Sequence, residues 1–234
     1  ARAIPRDEND PVFLTLGKQE SSLPRLGLQT SSESAELTEK QIQRLKELRL
    51  DHLYANLQAN DRALAEKLAQ ANRQAEVLGV RLNVGVQLGK QPEADLDNLS
   101  GAIKTAAPNV SAWCIGVTDW RQFALARKRI GGPRKDALIG GSRGPNFVDL
   151  NRDRPQVDGV DFVSYPINPQ IHAFDDASIV ETLPIHADSV RSAKRFVGDR
   201  PLAIGPLTLR PPLPVVEAAN HVAPKDDIPA DVDA

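Results

Sequence analysis

Leu64 to Val117 reads LAEKLAQANRQAEVLGVRLNVGVQLGKQPEADLDNLSGAIKTAAPNVSAWCIGV. Leu64, Leu68, Ala71, Ala75 and Leu78 recur at the three- and four-residue spacing of an apolar helix stripe, and Gly79 supplies a stop. Val80 to Leu88 then switches to a period of two, with Leu82, Val84 and Val86 on one face, which is the signature of a strand. A second helix, with Leu96, Leu99 and Ile103 on one side, runs up to Pro108, and Ala112–Val117 is a second strand. Helix, strand, helix, strand without a hairpin signal between them implies parallel strands joined by helical crossovers.

The same alternation extends in both directions. Upstream, Arg25–Gln29 reads as a strand, and a helix follows with Ile42, Leu45 and Leu48 on one face. Thr38 is its N-cap, with Gln41 completing a capping box, and Leu53–Leu57 is the next strand. Downstream come a basic helix over roughly 120–130 and strands at 137–141, 160–165 and 202–204, with Val190, Ala193 and Val197 marking a helix face between the last two. Seven strand signals in such a series favour a (β/α)8 TIM barrel over a doubly wound sheet. No G-x-G-x-x-G follows the first strand, which argues against a dinucleotide-binding Rossmann unit. An eighth strand is not visible, so we expect the barrel to be incomplete and to close with segments absent from this chain. The barrel domain is expected over 25–210. Residues 1–24, with a strand candidate at 11–16, read as an N-terminal arm or part of a neighbouring domain. Residues 211–234 hold five prolines and four aspartates, the composition of a linker or loop.

Composition narrows the function classes. The chain has 234 residues, 41% apolar and 26% charged, with a formal net charge of −2. That is enough apolar surface for one large core, and no basic excess points to nucleic acid. A single cysteine, Cys114, excludes an internal disulfide framework and favours a reducing compartment, so the expected location is the cytoplasm. No run approaches the roughly 20 apolar residues that span a bilayer. The sequence starts at Ala1 and contains no methionine, which we read as a piece of a longer protein.

Chemistry concentrates after the sixth strand. GVDFVSYPINPQIHAFDDASIVE, residues 159–181, places Asn168, Gln170, His172, Asp175, Asp176 and Glu181 just beyond a buried run. Active sites of (β/α)8 barrels lie on the face where the strands end, so this loop is the first candidate. His172 suits proton transfer near neutrality, or it orients the loop by hydrogen bonds. Asp175 and Asp176 are adjacent, so one is expected to face a pocket and the other to cap the following helix. Glu181 serves as a base or hydrogen-bond acceptor, or completes a capping box with Ser178. Pro184 complicates that helix, because a proline ring is best tolerated in a first turn. Asn146 follows the fifth strand, and Trp113 and Trp120 read as core and rim residues. No H-x-H or H-E-x-x-H spacing supports a metal, no G-x-S-x-G supports a serine hydrolase, and no cofactor is expected.

The residues Gly140-Gly141, Asn146-Phe147, Leu150-Asn151-Arg152, Arg154-Pro155, Asp161-Phe162-Val163, Ile167-Asn168-Pro169-Gln170, His172-Ala173-Phe174-Asp175, Val180-Glu181, Arg200-Pro201 and Thr208-Leu209-Arg210-Pro211 resemble the barrel domain of the D-apionate lactonase family. The resemblance covers roughly 24–212 and is specific over 140–211. It implies a bacterial hydrolase of carbohydrate catabolism that opens a sugar-acid lactone, with glycoside-hydrolase-like barrel architecture and a β-rich companion domain beyond this chain. On that reading Asp175 or Glu181 activates water and His172 shuttles a proton, while Asn146, Asn168, Gln170 and Arg210 bind the substrate. Glycosidase barrels of the commonest clan place a glutamate after strands four and seven. Here those places read Gly116-Val117-Thr118-Asp119 and Gly205-Pro206-Leu207-Thr208, with no glutamate. A glycoside hydrolase and a non-catalytic carbohydrate-binding barrel remain the alternatives. None of the three readings involves nucleic acid or a membrane.

Overall fold

The computed structural model describes residues 17, 23–30, 36–131, 136–155, 159–169 and 175–208. Its elements alternate as the sequence implies. They are β1 (Gly27–Gln29), α1 (Glu39–Glu47), β2 (His52–Gln58), α2 (Leu64–Leu78), β3 (Arg81–Gln87), α3 (Pro92–Ala106), β4 (Val110–Val117), α4 (Gln122–Ile130), β5 (Leu138–Arg143), α5 (Phe147–Arg152), β6 (Val163–Ile167), α6 (Asp176–Val197) and β7 (Leu202–Leu207). The seven strands form one sheet in sequential order, every neighbouring pair parallel. A parallel sheet in strict chain order, with helices over one face, curls into a nearly closed TIM barrel. The candidates at 11–16 and 211–234 lie outside the described residues.

Local chemistry sets several boundaries. Thr38 caps α1 by accepting from the Gln41 N–H, and the Gln41 side chain accepts from the Thr38 N–H at 2.9 Å, so the capping box is reciprocal. Gly79 ends α2 in the left-handed region at φ 72°, where a Cβ is costly. The buried layer lies between the helices and the outer face of the sheet. Leu53 and Ala55 of β2, Leu82, Val84 and Val86 of β3, and Trp113 and Ile115 of β4 meet Leu64, Leu68, Leu96 and Leu99 of α2 and α3.

Four expectations shift. The sixth strand is expected at 160–165 but begins at Val163. The Asp161 carboxylate accepts from the Ile139 N–H at 2.7 Å while its own N–H donates to the Ile139 carbonyl at 2.8 Å. A side chain thus replaces one rung of the β5–β6 ladder. Residues 147–152, for which no element is predicted, form α5, capped by the Asn146 side chain accepting from the Asp149 N–H at 3.1 Å. The fifth and seventh strands run further than expected, to Arg143 and Leu207. Finally, α6 is not capped by Ser178. Asp175 is its N-cap, and Pro184 sits well inside a helix of 22 residues. The exposed flank formed by Val180, Leu183 and Ile185 gives the proline ring room on the solvent side.

Candidate active site at the barrel mouth

Alternation along the strands decides which side chains enter the barrel. Because Leu53 and Ala55 face the helices, the other set on β2 faces inward: His52, Tyr54, Asn56 and Gln58. On β3 the inward set is Arg81, Asn83, Gly85 and Gln87. Contacts reaching across strands support this orientation. A Cβ added at Gly85 would lie 2.0 Å from the Tyr54 hydroxyl, and one at Gly116 would lie 2.2 Å from Gln87 Oε1. Glycine at these two places therefore lets a neighbouring strand's side chain lean across the inner face.

Through the gap at Gly85, the Tyr54 hydroxyl reaches Cys114 on β4, whose Sγ lies 3.0 Å from Ser164 Oγ on β6. Side chains from alternate strands meeting in a layer are the normal interior of this fold, although the layer here is polar. Burial pushes the Tyr54 and Cys114 pKa values up, so both stay protonated at neutral pH. Below this layer, Asp51 hydrogen-bonds His52 Nδ1 at 3.1 Å and pairs with Arg81. Its carboxyl is raised by burial, but the Arg81 and His52 contacts outweigh that and hold it below the ordinary value.

The C-terminal ends of the strands form the mouth. Gln58 and Gln87 sit side by side in register at the ends of β2 and β3, and both are exposed. Asn168 Nδ2 donates to Thr208 Oγ1 at 2.6 Å, tying the ends of β6 and β7 together. On the β4–β5 rim, Arg143 donates from Nε to the Thr118 carbonyl at 2.6 Å and pairs with Asp153. Trp120, stacked on Phe123, donates to the Asp153 carbonyl at 3.2 Å. Arg143, Asp153 and Trp120 line a cleft of ≈ 370 Å³ together with Asp119 and Arg121. The Arg121 guanidinium beside Asp119 lowers the aspartate pKa to about 2.

The residues singled out from the sequence divide into four groups. Asn168 stands at the mouth, half-buried. Asn146 and Asp175 are both helix N-caps. Asp175 accepts from the Ser178 N–H at 2.9 Å and from its hydroxyl at 2.8 Å, which holds its carboxyl below the ordinary value. Of the two adjacent aspartates, Asp175 is thus the one that caps. Glu181 is exposed and has no hydrogen-bond or ion-pair partner among the described residues. Gln170, His172 and Arg210 lie outside the described residues. Asn56 at the mouth is marked by no motif; the β2 alternation is the signal that finds it. No group of three or more metal-ligating side chains occurs among the described residues, and no helix there is long and apolar enough to cross a membrane.

A family model described as the D-apionate lactonase TIM barrel domain matches residues 26–212. A D-apionate lactonase of Brucella anthropi is 27% identical over 221 residues, an alignment covering 86% of this chain and 35% of the relative. The chain therefore spans about a third of the length of that curated relative.

Proposed function

The chain belongs to the D-apionate lactonase family through its TIM barrel domain, and from that membership we propose that it contributes the barrel of a hydrolase that opens a sugar-acid lactone to the free acid. The observation that carries the reading is the set of neutral polar side chains at the mouth, set apart from the charged β4–β5 rim. Gln58, Gln87, Asn168 and Thr208 line the strand ends. Neutral amides and hydroxyls suit a polyhydroxylated ligand, because each sugar hydroxyl both donates and accepts.

Lactone hydrolysis needs water to attack the carbonyl carbon, donors for the oxyanion that forms, and a proton for the ring oxygen as the C–O bond breaks. We assign the proton shuttle to His172. Asn168, Gln170 and Arg210 hold the carbonyl oxygen and sugar hydroxyls, and Asn146 binds substrate from the fifth strand's loop. Water activation falls to Asp175 or Glu181, as the sequence suggests. Asp175 is ionised at neutral pH and retains acceptor capacity beyond its two bonds to Ser178. Glu181 is uncommitted to any described partner, although it stands on the exposed flank of α6. The missing glutamates after β4 and β7 weigh against a two-carboxylate glycosidase.

We further assign the reaction to carbohydrate catabolism in a bacterial cytoplasm and give the intact protein a β-rich companion domain; the greater length of the relative leaves room for one. The barrel domain is taken as 25–210, flanked by an arm and a linker. His172→Ala, Asp175→Asn and Glu181→Gln in the intact natural protein test the roles. Loss of about 100-fold or more in kcat is expected for His172→Ala and for one of the two carboxylate variants. Near-normal turnover in all three would remove the assignment.

A further inference from the structure

TIM-barrel interiors are packed mainly with Val, Ile and Leu. The inner face of β2 and β3 departs from this: its eight inward positions hold no aliphatic side chain. The lower polar groups have protein partners. His52 and Arg81 share Asp51, and Tyr54 bonds Cys114. The upper ones do not. Asn56 and Gln58 make no side-chain hydrogen bond among the described residues, and Gln87 has only a 3.5 Å contact from Nε2 to the Gly116 carbonyl. All three are exposed on the inner face.

We propose that Asn56, Gln58 and Gln87 form a hydroxyl-recognition surface inside the barrel that selects polyhydroxylated lactones over deoxygenated ones. This deepens the lactonase reading above and rests on it. Gln58 and Gln87 are in register on neighbouring strands, and Asn56 is two residues below Gln58 on the same face. Their Cα atoms span a patch of about 5 by 7 Å, the scale of a five- or six-membered sugar ring. Each carboxamide offers two donors and an acceptor with no net charge, so it matches a hydroxyl and demands no anion. Gly85 and Gly116 keep the space beside the amides free of a Cβ, and the Tyr54 ring leaning over Gly85 fixes the floor. A ligand lacking a hydroxyl would desolvate an amide without replacing its hydrogen bond, and that unpaired group is the physical basis of discrimination.

The test uses the intact natural protein and matched pairs of aldonolactones, each polyhydroxylated lactone set against its deoxygenated counterpart. Asn56→Ala, Gln58→Ala and Gln87→Ala are expected to lower kcat/KM for the hydroxylated member about 10-fold or more, and to change the deoxygenated member less than about 2-fold. Thermal unfolding of each variant should match the wild type. Equal losses on both members, or no loss on either, overturn the proposal. If the wild type opens no lactone, the lactonase reading fails separately, and calorimetric binding of the open-chain sugar acids becomes the readout. Weaker binding by the three variants then upholds the recognition surface. Unchanged binding, or none by the wild type, overturns it.

Discussion

The arc from β2 to β4 and the flank formed by α6, β7 and β1 are made by the same kind of sequence and end up in opposite states. In the arc, Leu64, Leu68, Leu96 and Leu99 are at most 1% exposed, and the strands beneath them bury every outward aliphatic but one, Leu57, which is partly buried. On the flank, α6 buries only Ala193 and Val197 of its 22 residues, β7 buries none, and Leu26 and Leu28 lie open at β1. Each helix in this fold is covered by its two neighbours and the sheet. The flank is where a further β/α unit would belong, and no strand beyond β7 occurs among the described residues. The arc therefore holds the stability and the flank holds the unfinished surface. The polar mouth runs from one to the other.

The largest expected effect tests the arc. Leu99→Ala should cost about 2–5 kcal/mol in urea unfolding, because a fully buried leucine leaves a cavity. Leu183→Ala on the flank, 55% exposed, should cost under about 0.5 kcal/mol. If the flank substitution proves as costly as the arc one, another surface covers the flank, and the contrast fails.

Next is the inner face. Gly85→Ala should destabilise by about 1–3 kcal/mol by pushing the new methyl into the Tyr54 hydroxyl. In a double variant with Tyr54→Phe, part of that loss should return. No recovery would mean that the crowding lies elsewhere.

A smaller effect separates structure from chemistry at α6. Asp175→Ala removes the N-cap and should cost about 1 kcal/mol, whereas Asp175→Asn caps nearly as well and should cost a few tenths. An asparagine variant that keeps its unfolding midpoint but loses turnover assigns Asp175 to the reaction. One that keeps both leaves it as a cap.

The smallest effect is on acid stability. The Asp51 carboxyl is held below its ordinary 3.8 by Arg81 and His52, against the opposing effect of burial. A depressed carboxylate adds stability above the unfolded value and loses it as pH falls through the folded one. Wild type and Asp51→Asn should therefore differ by under about 1 kcal/mol at pH 6, and the difference should shrink as pH falls below the ordinary carboxylate range. A gap that does not shrink with falling pH would mean the pair contributes by packing instead of charge.

Much of the fold was legible because local chemistry and tertiary packing agree. The Thr38 and Gln41 box sets the start of α1, and the stripe from Leu64 to Leu78 with the Gly79 stop sets the extent of α2. The misses arise where a side chain takes over a backbone role. Asp161 substitutes for a rung of the ladder, so β6 starts three residues late. Asp175, three residues ahead of Ser178, wins the cap that a Ser178–Glu181 box would also satisfy. The site was legible only as a polar loop after the sixth strand. That Tyr54 and Gln87 lean across Gly85 and Gly116 depends on which glycines stand beside them on the next strand, and no pattern along one strand reveals that.

The most direct measurement follows acid release from a panel of aldonolactones, apionolactone included, by the intact natural protein. Turnover of at least one polyhydroxylated lactone, falling about 100-fold or more with His172→Ala, is the result expected of a lactonase working at this barrel mouth. A folded protein that releases no acid from any lactone on the panel would contradict it.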